Sequence, residues 1–448
     1  MQLNRDAALA TDLYELTMAA AYFESKIEGQ ATFELFVRNY PRNRSFLIAA
    51  GLQQAIDYLL HITFEPDHIK FLRRHPALRD VSDNFFQYLK GFQFTGSVHA
   101  MPEGTVFFPN EPVLRVTAPV IEAQLVETYL LSVINFETLI ASKAARVVAA
   151  ARGREVVEFG ARRAHGPESA LLAARASYIG GCVGTSNVLA GYTFGIPTYG
   201  TLAHSFVMMF DSEREAFERF CAVFPSNPTF LLDTYDTLEA ARIVASMNLR
   251  PALVRLDSGN RVLLSRKVRK ILNDAGMGST RIFVSGDLNE FVLDTITSQN
   301  APIDSFGVGT DLVTSRDDPA LPGIYKLVSL KHRGRTMLRA KTSAGKRTIP
   351  GMKQVYRKYR QGMIIRDVIA LADEPPPPKT KRLLAEVIRN GRLVGTLPGL
   401  NRIREIREKE LESLPRRYRR LHGSANPPVY LSRLLERLTK TLWTEAVR

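Results

Sequence analysis

The side chains best suited to chemistry fall into seven groups, each at the end of a short apolar run between residues 154 and 310. Arginine binds phosphate or carboxylate through forked N–H donors, and carboxylates accept ribose hydroxyls or hold Mg²⁺ through water. Both kinds of group in one site suit a phosphorylated sugar bound with a metal ion. The groups are Arg162 and Arg163; Thr185, Ser186 and Asn187; Thr201, His204 and Ser205; Asp233, Thr234 and Asp236; Arg255, Asp257 and Ser258; Asp287; and Gly307, Gly309 and Thr310.

Each of these residues taken alone has a simpler interpretation. Asp257, in the sequence LDSGN, suits a turn or a helix N-cap, and a single histidine such as His204 is more often a satisfied polar residue than a nucleophile. The loop GVGT at 307–310 offers backbone N–H groups to a phosphate, although short Gly-x-Gly pieces also arise by chance. Their placement on successive strands of one predicted face favours the functional interpretation.

Two enzyme classes are disfavoured by what these positions lack. No lysine occupies them, which argues against a Schiff-base aldolase. No His-x-His pair or histidine cluster occurs there, which argues against the zinc site of a barrel hydrolase. We therefore expect no protein-bound metal site.

The apolar runs alternate with helical patterns, which predicts a parallel sheet buried on both faces. Seven such runs in succession indicate a closed or nearly closed (β/α) barrel rather than an open Rossmann sheet. Barrels of this kind carry their active sites at the carboxyl ends of the strands, where the seven groups lie. The runs span residues 154–162, 181–187, 197–205, 229–236, 251–260, 280–290 and 303–310.

The flanking segments have other patterns. Thr11 and Asp12 suit helix caps, with Glu15 in the capping-box position, so we expect a helix from Leu13 to about Phe23. After residue 325 the sequence predicts a β-hairpin around 332–335, a proline-rich linker at 371–379 and a final helix. The predicted domains are an N-terminal α/β domain at 1–130 completed by about 326–375, a barrel at 131–325, and a basic, mainly helical C-terminal extension at 376–448.

The charge is uneven along the 448 residues, whose overall net charge is +15. Residues 1–325 carry 30 Lys+Arg and 35 Asp+Glu, whereas residues 326–448 carry 30 Lys+Arg and 10 Asp+Glu. The basic segment could bind nucleic acid, but interleaved aromatic residues are scarce and many of its charges pair at helical spacing. A leucine stripe at 431, 434, 435, 438 and 442 predicts that it packs on the acidic body and its dimer mate.

The composition is that of a globular cytoplasmic protein. The hydrophobic content of 45% excludes a disordered or collagen-like chain. The N-terminus lacks the pattern of a signal peptide, and no run of about 18 apolar residues predicts a membrane helix. Two cysteines, Cys182 and Cys221, are too few for a disulfide scaffold or a cysteine-rich zinc site, so we expect reduced thiols.

Several segments together resemble nicotinate phosphoribosyltransferases through most of residues 10–360. The resemblance implies a type II phosphoribosyltransferase fold: an incomplete seven-stranded (β/α) barrel with an N-terminal α/β domain completed by post-barrel segments. It also implies a homodimer with composite sites at the interface. The segments are TDLYELTMAAAYF (11–23), EFGARRAHGP (158–167), GTSNVLAG (184–191), GTLAHSFV (200–207), LLDTYDT (231–237), VRLDSGN (254–260) and FGVGTDLVT (306–314).

The resemblance assigns roles to individual positions. It places the phosphorylated histidine of the family on His204 and the nicotinate contacts on Tyr14 (from the partner subunit), Thr201 and Arg255. Ser186 stands where related nicotinamide-using enzymes have an aspartate, which favours an acid as substrate. No cysteine follows Cys221, so the zinc knuckle of some members is not implied. The phosphoribosyl and pyrophosphate contacts fall on Arg162, Asp233, Asp257, Asp287, Gly309 and Thr310.

The reaction implied by the resemblance joins nicotinate to phosphoribosyl pyrophosphate, giving nicotinate mononucleotide and pyrophosphate in NAD biosynthesis. ATP hydrolysis would be coupled through a phosphohistidine at His204, and Mg²⁺ would accompany phosphoribosyl pyrophosphate. The alternatives are a quinolinate or nicotinamide phosphoribosyltransferase and, from another class, a nucleic-acid-binding protein that uses the basic segment.

Overall fold

The computed structural model describes residues 5–226, 228–247, 249–343, 345–423 and 425–445. The chain forms two compact units. The first unit combines residues 1–139 with residues 320–448, and the second contains residues 140–319. The chain therefore leaves the first unit once and returns to it after completing the second.

The N-terminal segment mixes helices and short strands. A 3₁₀ helix occupies Ala7–Leu9 and another occupies Pro76–Leu78. The other elements are α1 (Leu13–Glu24), β1 (Gln30–Val37), β2 (Leu47–Ile48), α2 (Leu52–His61), α3 (Pro66–Arg74), α4 (Asp83–Lys90), β3 (Ser97–Ala100), β4 (Val106–Phe107), β5 (Pro112–Pro119), α5 (Val120–Leu125) and α6 (Glu127–Ala150).

Helix α1 begins where the sequence predicts, but its cap differs from the expected capping box. The Asp12 side chain makes no capping hydrogen bond. Glu15 turns instead toward α6, where its Oε1 accepts hydrogen bonds from Thr128 N at 3.0 Å and from Thr128 Oγ1 at 2.7 Å. Burial raises the pKa of Glu15 to about 7, while the hydrogen bonds from Thr11 and Thr128 oppose that rise. The capping-box prediction was wrong because a tertiary contact takes the carboxylate.

The middle segment alternates strands with helices. A 3₁₀ helix at Ala161–Arg163 follows its first strand. The elements are β6 (Glu155–Glu158), α7 (Pro167–Gly180), β7 (Gly184–Thr185), α8 (Val188–Phe194), α9 (His204–Val207), α10 (Glu213–Val223), β8 (Thr229–Leu231), α11 (Thr237–Ser246), β9 (Leu253–Leu256), α12 (Arg261–Asp274), β10 (Arg281–Val284), α13 (Glu290–Ser298), β11 (Ser305–Val308) and α14 (Thr310–Val313).

The strands of this second unit form one parallel sheet in the order β7-β6-β11-β10-β9-β8. Thr185 of β7 also bridges to Thr198 in parallel orientation, so the run at 197–205 contributes a single bridge rather than a full strand. Apolar side chains such as Val254, Leu256 and Phe306 are fully buried in it. The parallel α/β architecture predicted from the alternating runs is confirmed.

The C-terminal segment is richer in strands than the sequence predicts. A 3₁₀ helix occupies Arg416–Tyr418. The other elements are β12 (Gly323–His332), β13 (Arg335–Leu338), β14 (Lys353–Arg360), β15 (Met363–Leu371), β16 (Thr380–Arg382), β17 (Ala385–Arg389), β18 (Arg392–Leu393), α15 (Leu400–Ser413), β19 (Val429–Leu431) and α16 (Arg433–Glu445).

The first unit is built on a seven-stranded antiparallel sheet in the order β13-β12-β1-β5-β3-β17-β18. Strand β1 lies next to β12, and the ring of Phe33 stacks on that of Tyr325 with centroids 4.8 Å apart. The predicted hairpin is present as β12 and β13, with His332 opposite Arg335. Four of the seven strands come from residues after 319, so the two ends of the chain share one core.

Residues 376–448 belong to the first unit, and in the described part of this segment the helices α15 and α16 supply most of the regular structure, together with the short strands β16 to β19. Strand β17 pairs with β3, and its Ile388 is fully buried. In α16 the side chains of Leu435 and Thr439 are buried, whereas Leu434 remains 41% exposed. The predicted leucine stripe was therefore wrong at Leu434. The short strands between turns carry too few residues for their alternation to be visible in the sequence.

Among the described residues, one helical stretch, Val120–Ala150, is long and apolar enough to cross a membrane by length and composition. It spans 31 residues, and its most apolar window has a mean hydropathy of 1.2. However, 67% of that window is buried inside the protein. Burial in the core accounts for the apolar character of this stretch.

Candidate active site

Strand β9 presents Arg255 on the face opposite to its two fully buried neighbours. Val254 and Leu256 are inaccessible to solvent, whereas Arg255 between them is partly exposed, as expected for a strand whose side chains alternate. The Arg255 guanidinium lies over the ring of Phe159, 5.9 Å from its centroid. The strand thus holds a cation at its carboxyl end, next to an aromatic face.

Three hydrogen bonds fix the Arg255 guanidinium. Its Nε donates to Ser285 Oγ at 2.8 Å, its Nη1 to Thr201 Oγ1 at 2.7 Å and its Nη2 to Asp257 Oδ1 at 2.7 Å. A guanidinium has about five N–H donors, so about two remain for a ligand. Because both belong to the terminal nitrogens, they suit a carboxylate bound from the open side.

Asp257 is held as an anion beside this cation. Its Oδ1 accepts hydrogen bonds from Arg255 Nη2 and from Ser285 Oγ. Burial alone would raise the pKa of Asp257, but the hydrogen bond from Ser285, the Arg255 guanidinium and the charge of His204 outweigh it and lower that pKa. The carboxylate therefore stays ionised and available to hydroxyl donors.

Asp233, at the end of β8, is linked to Asp257 through the backbone. Its Oδ2 accepts hydrogen bonds from Asp257 N at 3.0 Å and from Ser258 Oγ at 2.5 Å. Its Oδ1 is buried and has no hydrogen-bond partner within the described residues. A buried oxygen without a partner is costly, so this atom suits a ribose hydroxyl or a water of a bound Mg²⁺.

His204 is the first residue of α9 and is partly buried. Its Nδ1 lies 3.2 Å from Thr234 Oγ1, next to Asp233 in the chain. The structure therefore brings His204, Asp233, Asp257, Thr201 and Arg255 into one connected set of residues. Because Nδ1 of His204 is already in contact with Thr234, Nε2 is the ring nitrogen that is open to a ligand.

The end of β11 and the loop after it are closely packed against Phe283 and Phe159. A Cβ at Gly307, within β11, would lie 2.6 Å from Phe283 Cζ, so a larger residue there would require this ring to move. A Cβ at Gly309 would lie 3.1 Å from the carbonyl oxygen of Phe159. Thr310, partly exposed, begins the short helix α14. These glycines let the loop approach β6 closely.

Other predicted residues lie outside the hydrogen-bond network. The side chains of Arg162 and Asp287 are exposed and make no hydrogen bond or ion pair with the described residues. Asp287 has a left-handed backbone, with φ 46°, in the turn after β10. Asn187 and Asp236 serve as helix N-caps, because the side chain of each accepts a hydrogen bond from a backbone N–H of the helix that follows it.

Tyr14 lies in the first unit, on α1, with 47% of its surface exposed. Partial burial, followed by the nearby carboxylates of Glu127, Glu15 and Asp12, raises its pKa above the ordinary value. The phenol is therefore neutral at physiological pH, with an accessible ring.

Sequence reasoning missed two residues that organise this site. Ser285 is almost fully buried and contacts both Arg255 and Asp257. Glu158, at the end of β6, is fully buried and accepts hydrogen bonds from Thr185 Oγ1 and Gly160 N; burial raises its pKa. The position of Glu158 next to FGARR was a usable signal, whereas a lone serine after a strand gives none.

The described residues contain no cluster of three or more histidine, cysteine, aspartate or glutamate side chains that could hold a metal ion. A cation in this site would therefore take much of its coordination from a phosphorylated ligand and from water.

Models of known families match three successive segments of the chain. Residues 9–135 match the nicotinate phosphoribosyltransferase N-terminal domain and residues 377–439 match its C-terminal domain. Residues 140–317 match the quinolinate phosphoribosyl transferase C-terminal domain. The segment at 140–317 contains the whole hydrogen-bond network around Arg255 and Asp257.

Whole-length relatives agree with the family models. A nicotinate phosphoribosyltransferase of Mycobacterium tuberculosis is 44% identical over 97% of this chain and 93% of its own length. The human nicotinate phosphoribosyltransferase is 31% identical over 97% of this chain and 96% of its own length.

Two solved structures are similar along nearly the whole chain. The crystal structure of human nicotinic acid phosphoribosyltransferase has a TM-score of 0.86 at 29% identity and covers 96% of this chain and 99% of its own. The nicotinate-nucleotide pyrophosphorylase of Pyrococcus furiosus has a TM-score of 0.75 at 26% identity, covering 92% of this chain and 97% of its own. These matches confirm the resemblance found in the motifs, and the chain belongs to the nicotinate phosphoribosyltransferase family.

Proposed function

We propose that this chain joins nicotinate to phosphoribosyl pyrophosphate, forming nicotinate mononucleotide and pyrophosphate, with ATP hydrolysis coupled through a phosphohistidine. The observation that supports it most is Arg255, whose two unused N–H donors suit a carboxylate, beside the carboxylates Asp257 and Asp233. A carboxylate-recognising cation next to ribose-hydroxyl acceptors is what this pair of substrates requires.

The nicotinate carboxylate binds Arg255, with Thr201 holding Nη1 in place. The pyridine ring packs against an aromatic side chain, for which Tyr14 of a second copy of this chain is the candidate. Ser186 places no negative charge beside the substrate, which favours the acid over the amide.

The phosphoribosyl group binds through Asp257 and Asp233, whose free oxygens accept the ribose hydroxyls. The 5′-phosphate binds the backbone of Gly309 and Thr310, and the pyrophosphate binds Arg162. Asp287, whose side chain is exposed, would hold a Mg²⁺ ion bound with the pyrophosphate through the water ligands of that ion. When bound, the cation neutralises charge on the leaving pyrophosphate.

In the chemical step the bond from ribose C1 to pyrophosphate breaks, and the pyridine nitrogen forms the new bond to C1. Positive charge develops on the ribose ring, and the ionised Asp257 and Asp233 stabilise it. Orientation of both substrates supplies the remaining assistance. The pyridine nitrogen carries no proton at attack, so no general base is needed.

His204 is the phosphoryl acceptor. The imidazole attacks the γ-phosphorus of ATP and releases ADP, and water later cleaves the resulting phosphoramidate to give phosphate. Thr234 holds the ring in position through Nδ1. The added negative charge next to Asp257 and Asp233 changes the affinity of the site for its anionic ligands.

The finer architecture in this proposal is an incomplete seven-stranded barrel in the cytoplasm, paired as a homodimer. The bridge between Thr185 and Thr198 places the segment at residue 198 beside β7, at one edge of the sheet, and β8 forms the other edge. The described residues show no pairing between these two edges, which is where an incomplete barrel would be open. Large apolar side chains on α8 and in the residues around α9 are exposed and suit a protein interface. They are Val188, Leu189, Tyr192, Met208 and Met209, which are 52–90% exposed.

A single assay tests the proposed function. The purified protein is given phosphoribosyl pyrophosphate and Mg²⁺ with nicotinate, nicotinamide or quinolinate, each with and without ATP, and pyrophosphate release is measured. We expect release with nicotinate, stimulated by ATP, and little with nicotinamide. Release with quinolinate alone, accompanied by carbon dioxide, would instead support the activity named by the family model that matches residues 140–317.

A further inference from the structure

Ser285 is the first residue after β10 and only 2% of its surface is exposed. Its N–H donates to the carbonyl oxygen of Leu256 on the neighbouring strand at 2.9 Å. The backbone of both strands therefore fixes the position of its hydroxyl, directly beneath Arg255 and Asp257.

The hydroxyl closes a ring of hydrogen bonds. Arg255 Nε donates to Ser285 Oγ, Ser285 Oγ donates its only proton to Asp257 Oδ1, and Arg255 Nη2 donates to the same Oδ1. A hydroxyl can accept one bond while donating another, which neither an amine nor a carboxylate does in this place. The ring fixes the plane of the guanidinium and the rotation of the carboxylate together.

We propose that Ser285 is a positioning residue that sets the substrate preference of this site, by holding Arg255 for a carboxylate and Asp257 for a ribose hydroxyl. The inference rests on the proposed function. Ser285 itself touches neither substrate. Its contact to Arg255 Nε leaves the free N–H donors on the terminal nitrogens, and its contact to Asp257 Oδ1 leaves Oδ2 for the sugar.

Removal of the hydroxyl has two separable consequences. The Arg255 guanidinium loses its Nε partner and becomes free to rotate toward Asp257, which turns its N–H donors away from the nicotinate carboxylate. Asp257 loses a donor that stabilises its ionised form, so its pKa rises toward the ordinary value. A residue that served only to fill space would produce neither effect.

The test compares Ser285→Ala and Ser285→Cys with the unaltered protein and with Ser298→Ala. Ser298 is exposed at the end of α13, where its hydroxyl bonds only the carbonyl oxygen of Thr295, so it controls for loss of a serine hydroxyl. Cysteine nearly preserves the volume of serine but is a weak hydrogen-bonding group. Initial rates are measured against nicotinate and against phosphoribosyl pyrophosphate over a range of pH.

We expect both Ser285 variants to raise the KM for nicotinate roughly ten- to a hundredfold, the range for a hydrogen bond to a charged group. The acid limb of the kcat/KM profile should move to higher pH in both, and Ser298→Ala should match the unaltered protein. Unchanged KM and pH profile in Ser285→Cys would overturn the inference, as would an equal loss for both substrates together with a lowered Tm. Absence of turnover in the unaltered protein would refute the proposed function instead.

Discussion

Thr201 Oγ1 accepts a hydrogen bond from Arg255 Nη1 at 2.7 Å, joining two residues that are 54 positions apart in the chain. Thr201 lies in the loop before α9 and Arg255 lies on β9, so the bond links the loop that carries His204 to the strand that carries the cation. The position of the histidine loop and the orientation of the guanidinium are therefore coupled. In the proposed function, this coupling would link phosphorylation of His204 to the guanidinium that binds nicotinate.

Arg255→Lys should raise the KM for nicotinate roughly ten- to a hundredfold, with a smaller effect on the KM for phosphoribosyl pyrophosphate. Lysine offers a point charge without the planar fork, and three partners currently set the plane of the guanidinium. Steady-state kinetics with each substrate varied in turn measures the effect. Arg266→Lys, at an exposed position of α12, is the matched control. Unaltered kinetics with nicotinate would remove Arg255 from the anion site.

His204→Ala should abolish ATP-stimulated turnover and the incorporation of acid-labile phosphate from labelled ATP. The imidazole is the group that the proposal phosphorylates, and its hydrogen bond to Thr234 shows that it is already oriented. Slow synthesis without ATP should survive, because Arg255, Asp257 and Asp233 keep their contacts. His61→Ala, whose side chain is 64% exposed in the first unit, is the control. Equal labelling of His204→Ala and the unaltered protein would contradict the assignment.

The strands of the second unit were predictable because their apolar runs are bounded by glycine and polar residues. All seven runs have a counterpart, six as strands and one as the bridge at Thr198. The runs were predicted longer than the strands that form, since residues such as Asp257 and Asp287 continue into the turns. Sequence periodicity sets which residues are buried, whereas hydrogen bonding between neighbours sets where a strand ends.

The sequence indicated candidate residues such as Arg255 and Asp257, but not the hydrogen bonds that connect them. Arg255 and Asp257 are two positions apart, in and just after one strand, and the alternation of side chains along a strand places such residues on the same side. Thr201 was predicted as a nicotinate contact, but neither its hydrogen bond to Arg255 nor the part played by Ser285 could be predicted, because a hydroxyl becomes informative only when its partners are known. Strands β16 and β17 were missed for a similar reason, since each is stabilised by pairing with a segment more than 20 residues away rather than by its own pattern; β18 is a two-residue strand that pairs with β17.

The stability of the protein should depend on pH through Glu15. Burial raises the pKa of Glu15 in the folded protein to about 7, above the value of roughly 4.3 in an unfolded chain. The folded state therefore binds the proton more tightly, and the stabilisation is complete below about pH 4.3 and is lost as the pH rises through 7.

Urea unfolding at several pH values measures this dependence. In Glu15→Gln the amide retains an oxygen for Thr128, so the unfolding free energy should fall less between pH 4.5 and pH 7 than in the unaltered protein. Glu28→Gln changes an exposed carboxylate and should leave the pH dependence intact. Identical pH dependence in Glu15→Gln and the unaltered protein would show that Glu15 is ionised throughout.

The basic C-terminal segment should resist limited proteolysis because buried charges anchor it. Arg357 of β14 is inaccessible to solvent and donates to both oxygens of Asp367 and, through Nη1, to Glu410 of α15 at 2.5 Å. Glu111 lies in the same cluster; burial, together with the charge of Asp367, raises its pKa. Loss of the arginine would leave Asp367 and Glu111 buried without a counter-charge, at a cost of about 3–5 kcal/mol.

That cost is a large part of the roughly 5–15 kcal/mol that stabilises a typical domain. We therefore expect native protein to lose activity only slowly under trypsin, although Arg416, Arg417 and Arg420 are exposed to it. Arg357→Ala should be cleaved in this segment many times faster, because α15 loses its tie to the sheet. Arg366→Ala, at an exposed position of β15, should behave like the unaltered protein. Rapid trimming at 416–420 in the unaltered protein with full activity retained would show instead that these residues are a loose appendage.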